Sequence, residues 1–210
     1  MGIYIFRAKV LIELLSGVEA DFGKEIIPRA IKNYRAYSYV FQDYWRDIGT
    51  IGSFYQTSLE LTGPNPKFSF HSPQGGIFTH PRFLPPTQIE LASISKSLVS
   101  EGSMIKKAEI RESIIGLRSV IQKDSLISKS VIMGADFYEE GPKRSGIIPM
   151  GIGEGTVIEN AIIDKNARIG RKVTVKNAKK LQEFDSENYC IREGVVIIPK
   201  NAVIPDGATI

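Results

Sequence analysis

The sequence has a single cysteine, Cys190, and only two histidines, His71 and His80. One cysteine excludes an internal disulfide, and so few Cys and His leave no zinc-ligand spacing. Cys190 reads as a small buried hydrophobe in a protein suited to a reducing compartment. No apolar run approaches the ~18–20 residues that cross a bilayer as a helix. Nor is there a stripe of one charge: the net charge is +4, with 27 Lys and Arg interleaved among 23 Asp and Glu. A nucleic-acid binder concentrates its basic residues on one face with aromatics between them, and that pattern is missing. What remains, 42% apolar and 24% charged residues in a chain of 210, fits an ordinary globular protein of one domain or two small ones.

Three zones follow one another along the chain. Residues 1–61 alternate between strand-like and helix-like patterns. A strand is expected at residues 4–6, then a helix over 8–15 with Val10, Leu11, Leu14 and Leu15 on one face. DFGKEIIPRAI, from Asp21, reads as a turn and a short helix with Pro28 early in it. YSYVF (37–41) is aromatic and β-branched, a strand composition, and a further helix is expected over about 51–61. Such alternation implies a thin piece of α/β sheet. MGIYIF opens the chain as a strand rather than as a charged leader with an apolar core, so the expectation is a chain cut from something longer, with no targeting segment. Residues 62–88 hold six of the eleven prolines, which makes them an extended connector. Phe68, Phe70, Phe78, Phe83 and Leu84 within it are expected to find cover along a domain surface.

The third zone, 89–210, carries an internal repeat. Aliphatic residues recur at Val99, Ile105, Ile110, Ile115, Ile121, Ile127 and Ile132, then at Ile152, Ile158, Ile163, Ile169 and Val175, then at Ile198, Ile204 and Ile210. The step is five or six residues, which neither a 3.6 period nor a 2 period explains. A hexapeptide period explains it: three short strands make one triangular coil, each strand turns an aliphatic residue inward, and stacked coils build a continuous column. Gly102, Gly116, Gly155, Ala167, Gly170, Ala202 and Gly207 stand where the corners turn. Two segments, 133–153 and 176–194, break the period and are expected to loop out of the solenoid, where partner contacts often reside. The fold class expected is mainly β, a parallel β-helix preceded by an α/β remnant.

Several stretches carry a family resemblance across nearly the whole chain: DFGKEIIP (21–28), YWRDIGTI (44–51), TGPNPKFSF (62–70), PRFLPP (81–86), GLRSVI (116–121), MGADFYE (133–139), GIGEGTVIENAIIDKNARIG (151–170) and IPKNAVIPDG (198–207). The chain resembles the carboxy-terminal part of ADP-glucose pyrophosphorylase, closer to plant and cyanobacterial members than to enterobacterial ones. The resemblance implies a left-handed β-helix over 89–210, a linker over 62–88, and the tail of a nucleotidyltransferase catalytic domain over 1–61. It also implies a reaction, ATP and glucose 1-phosphate to ADP-glucose and pyrophosphate, in starch or glycogen synthesis. The setting would be a plastid in a plant or the cytoplasm in a bacterium, and the assembly a homo- or hetero-oligomer.

By the same resemblance Asp47, in YWRDIGT, is a ligand of Mg²⁺, a hard cation that takes carboxylate and phosphate oxygens. Without the motif it reads as an acidic N-cap for the helix at Ile51. His80 and Arg82 in the linker, Lys165 and Lys200 in the coils, match positions that bind anionic effectors, 3-phosphoglycerate and phosphate; Arg supplies a fork and Lys a point charge. Without the motif each is a solvated surface cation. The family's glycine-rich nucleotide loop, second metal aspartate and sugar-phosphate Glu-Lys pair have no match. Gly151-Ile152-Gly153-Glu154-Gly155 lies inside the hexapeptide period, away from any strand-to-helix junction, and reads as corner chemistry. No catalytic residue is assigned, and the chain is expected to be inactive alone. Two other classes compete: a hexapeptide acyltransferase, disfavoured because no histidine lies in the coils to act as base, and an assembly or regulatory module that uses the open coil ends.

Overall fold

Aliphatic residues five or six apart can all face one interior only if the chain turns a corner after each short strand, three corners to a coil, and the computed structural model shows that arrangement. It describes residues 2–70, 75–139 and 146–210; Pro73 of the linker and residues 140–145 of the first excursion lie outside the described residues. Short strands stack as three sheets of six, five and seven strands, parallel throughout except for two antiparallel strands at one end of the third. The first face takes Gln88–Ile89, Met104–Ile105, Val120–Ile121, Gly151–Ile152, Arg168–Ile169 and Val203–Ile204. Down this face Ile105, Ile121, Ile152, Ile169 and Ile204 are partners in register. On the second face Ile94, Ile110, Ile127, Ile158 and Val175 align. On the third, Val99, Ile115, Ile132, Ile163 and Ile198 do so. These columns merge into one core in which Ile110, Ile115, Ile121, Ile158, Val175 and Ile198 are fully buried. Each such side chain contributes roughly 1.5–3 kcal/mol by leaving water.

The corners are turned by residues in the left-handed region, many of them not glycine. Arg118, Asp124, Asn160, Asn166 and Asn201 have φ of 56, 60, 58, 62 and 64°. Asn and Asp tolerate this conformation better than most L-residues. A buried serine ladder satisfies the backbone beside one corner: the Ser97 hydroxyl accepts from Ser113 N–H, and the Ser113 hydroxyl from Ser130 N–H (3.2 and 3.1 Å). The ladder answers the requirement that buried N–H groups find acceptors.

The third face is apolar on its outside as well. Helix α3 (Ile51–Glu60) lies there, with Ile51, Phe54, Tyr55 and Leu59 packed on Val131, Ile162, Val195 and neighbours. A reciprocal capping box starts it, the Thr50 hydroxyl accepting from Ser53 N–H and the Ser53 hydroxyl from Thr50 N–H, both at 3.1 Å. The Glu193 carboxylate accepts from Gly52 N–H at 3.2 Å, so an anion meets the positive end of the helix dipole. Tyr55 anchors the contact: its hydroxyl proton is shared between the Lys129 carbonyl oxygen (2.6 Å) and Asn160 Oδ1 (2.7 Å).

Three expectations fail here. The second excursion does not loop out. Glu183–Asp185 and Cys190–Arg192 form an antiparallel hairpin that extends the third face beyond Val195–Ile198. Ile191 enters the core, with Leu181 and Tyr189 packed against it. An antiparallel strand cannot continue a parallel stack, so the hairpin caps that face. Cys190, in this hairpin, is half-buried rather than buried. Lastly, the linker phenylalanines are not covered: Phe78 and Phe83 are 100% and 91% exposed. Only where Gly102 N–H donates to Pro85 O (2.9 Å) does this segment begin to join the first coil.

The chain divides into two compact units, Met1–Asp43 and Tyr44–Ile210, so α3 belongs with the coils although sequence patterning groups it with residues 1–61. In the first unit α1 (Ala8–Leu14) and α2 (Ile27–Asn33) are joined through a π-helical turn, Phe22–Ile26, and bury Leu14, Ile26 and Ala30 together. The strands expected at 4–6 and 37–41 do not form. Both segments are extended, and Ile5, Tyr37 and Tyr39 are 98%, 86% and 89% exposed. A strand needs a neighbour for its N–H and C=O groups, and this unit supplies none among its described residues.

Candidate anion-binding site

Lys165 and Lys200 are 35 positions apart in sequence but occupy the same position in successive coils, at the corner between the third and first faces. Asn166 N–H donates to Gly134 O and Asn201 N–H to Lys165 O, each at 3.0 Å. Gly134, Lys165 and Lys200 are therefore equivalent corner positions, one coil apart each. Parallel strands stack ~4.8 Å apart, so the two lysines share one patch of surface.

What joins them is Asp136. Its Oδ1 accepts from Lys165 Nζ at 2.9 Å and its Oδ2 from Lys200 Nζ at 2.6 Å. Asn166 Nδ2 donates to the same Oδ2 (3.2 Å) and to Asn201 Oδ1 (3.2 Å), while Asn166 Oδ1 accepts from Asp136 N–H (2.8 Å). The Lys200 ammonium, then that of Lys165, holds the Asp136 carboxyl well below the usual carboxylate range, against a smaller opposing effect of burial. Asp136 in turn raises Lys200 above the ordinary lysine value. Asp164, next in line, turns its carboxylate to Lys165 N–H at 2.6 Å. The corner thus presents two ammonium groups and an amide converging on one pair of oxygens, which is the donor set that phosphate or carboxylate takes.

The other expected site residues stand elsewhere. His80 and Arg82 are exposed in an extended segment and make no hydrogen bond or ion pair among the described residues, so no contact brings them to the lysine corner. Asp47 is exposed; its Oδ1 accepts from Gly49 N–H at 3.2 Å, and the capping of α3 falls to Thr50 instead. No group of three His, Cys, Asp or Glu that could hold a metal occurs among the described residues. One carboxylate of a turn is a single Mg²⁺ ligand, and the residues present do not by themselves fit that ion.

Sequence reasoning missed Asp136 and the asparagine pair as parts of this site. The tripeptide Lys-Asn-Ala occurs at 165–167, 176–178 and 200–202; the first and last copies stack, while the middle one follows Val175 of the second face, so the repetition hinted at the stacking without singling out the pair. Beside the corner, a cavity of about 540 Å³ lies under the first excursion, lined by Arg118, Tyr138, Glu139, Met150 and Arg168 among others. Its two arginines are engaged: Arg168 pairs with Glu139 at 2.6 Å, and Arg118 lies over the Tyr138 ring, 5.6 Å from its centroid.

Two family models match the chain. One, described as the GLGC left-handed parallel beta-helix domain, covers residues 82–209, and the other, described as nucleotidyl transferase, covers residues 1–63. The chain belongs to the GlgC, or ADP-glucose pyrophosphorylase, family. Its coils are thereby left-handed, and its domains are those of a GlgC-type nucleotidyltransferase in the order expected for the carboxy-terminal region. In this GlgC-family chain the nucleotidyltransferase match ends just past α3, so the last helix of that match is the one seated on the coils. No helix among the described residues is long and apolar enough to cross a membrane.

Proposed function

We propose that this chain is the effector-binding and assembly region of a glucose-1-phosphate adenylyltransferase of plant or cyanobacterial type, in starch or glycogen synthesis. That enzyme joins glucose 1-phosphate to the adenylyl group of ATP and releases pyrophosphate. The observation that carries the reading is the stacking of Lys165 and Lys200 on one corner, converging on the two oxygens of a single carboxylate. Anionic effectors with paired oxygens, 3-phosphoglycerate and inorganic phosphate, fit this donor set, and His80 and Arg82 offer further donors from the exposed linker. Residues 2–43 and α3 supply no glycine-rich strand-to-helix loop for nucleotide phosphates, and Asp47 supplies one metal ligand. The 210-residue chain therefore does not carry out adenylyl transfer by itself; ATP, glucose 1-phosphate and Mg²⁺ need groups beyond those it contains. The first coil leaves Ile89 and Leu91 exposed, an open edge suited to a neighbouring subunit of an oligomer.

The test has two arms. The isolated chain, given ATP, glucose 1-phosphate and Mg²⁺, is expected to release no pyrophosphate; release above a protein-free blank refutes the first half. Inorganic phosphate titrated into the chain by calorimetry is expected to bind, and the Lys165→Ala/Lys200→Ala variant to lose that binding. Unchanged binding in the double variant refutes the second half.

A further inference from the structure

We infer that the Asp136 carboxylate is a resident counter-ion of the lysine corner, held in the place that an effector's phosphate or carboxylate takes, so that an anion binds only by displacing it. The inference rests on the anion-site reading above and adds to it what the site holds when no effector is bound.

Geometry makes the case. Each Asp136 oxygen serves one lysine, and Asn166 Nδ2 adds a third donor to Oδ2. A phosphate or a ligand carboxylate offers the same pair of oxygens to the same three donors. The two compete for one place: both are anionic, and the ammonium groups already converge on the Asp136 oxygens. Solvent reaches all three charged side chains, Lys165, Lys200 and Asp136 being 42%, 49% and 34% exposed, so an anion has access. The backbone of the corner is pinned independently of the carboxylate, through Ala135 N–H to Leu117 O and Asp136 N–H to Asn166 Oδ1, both at 2.8 Å. Displacement therefore requires rotation of one short side chain and leaves the coil intact.

Exchange of this kind sets the affinity. Charge-assisted bonds to Asp136 are given up as equivalent bonds to the anion form, so the net gain is small and binding is weak. Removing the internal competitor removes both the exchange and a like charge about 4 Å from the ligand. Such a charge opposes an anion, and more strongly at a protein surface than in bulk water.

Inorganic phosphate, titrated at constant ionic strength into the full chain, is the probe. Asp136→Asn keeps the shape and one oxygen and removes the charge; it is expected to bind phosphate about tenfold more tightly, ~1.4 kcal/mol. Asp136→Glu, which retains the charge, is expected to stay near the wild-type affinity. Adding Lys165→Ala/Lys200→Ala to Asp136→Asn is expected to abolish binding, and urea midpoints of all variants verify that each is folded. If wild type binds through the lysines and Asp136→Asn binds no more tightly, the counter-ion inference fails while the anion site stands. Equal tightening by Glu overturns it too, because packing and not charge then governs. Lysine-independent binding, or no binding in any variant, overturns the inference and the site reading together.

Discussion

Replacing Tyr55 with phenylalanine removes one oxygen from the seam between α3 and the coils, and the consequence should depend on pH. Tyr55 is 7% exposed, and its hydroxyl lies 2.6 Å from Lys129 O and 2.7 Å from Asn160 Oδ1. Losing a hydrogen bond of this kind costs about 0.5–1.5 kcal/mol near neutral pH, so wild type is the more stable protein there. Burial, assisted by the charge of Glu159, pushes the Tyr55 phenol up to about 12, whereas in the unfolded chain it titrates near 10. Between those values the unfolded state has lost its proton and the folded state has kept it. Stability from this group is therefore complete below pH ~10 and declines as pH rises toward 12, by at most ~1.4 kcal/mol per unit. The Phe variant has no such group to titrate. The gap between the two proteins should be level from pH 7 to 9, shrink above pH 10 and change sign before pH 12. Urea unfolding followed by far-UV circular dichroism and by Trp45 fluorescence measures it. Stability curves that stay parallel from pH 9 to 11.5 would refute the reasoning.

Ile158→Ala removes a fully buried side chain flanked in register by Ile127 and Val175; a loss of about 2–5 kcal/mol is expected from urea midpoints. Gly134→Ala should cost roughly 1–3 kcal/mol, since Gly134 has φ 81° and an added Cβ would run into the Leu117 carbonyl oxygen; a neutral result there would mean that the corner is not as tight as drawn. Asp136→Ala should flatten the acid side of the stability profile. The Asp136 carboxyl is held low by the two lysines, so its contribution is present above pH ~4 and is lost as pH falls toward the folded value; variant and wild-type profiles that run parallel below pH 4 would contradict this.

Much of the coil architecture was legible because its physics is local and repetitive. An inward isoleucine every five or six residues has one economical arrangement, and Ile105 through Ile204 take the positions that the spacing implies. The outer face that receives α3 was legible too, in retrospect: Ile114–Ile115, Val131–Ile132, Ala161–Ile163 and Val195–Ile198 place apolar residues on both sides of the strand, a sign of cover on both faces. YSYVF shows the opposite limit. Its β-propensity is high, yet propensity expresses fit to a sheet and cannot supply the neighbour that a strand requires.

From its sequence alone this protein's repeat, its inward residues and its family kinship were determined, since each depends on residues close together in the chain. Tertiary structure decided the rest. It folded residues 183–192 into an antiparallel cap on the third face that carries Ile191 into the end of the core. It also brought Asp136, Lys165 and Lys200 to one corner across two interruptions of the period. Insertions of unequal length between coils erase register from the linear chain, and stacking the coils restores it.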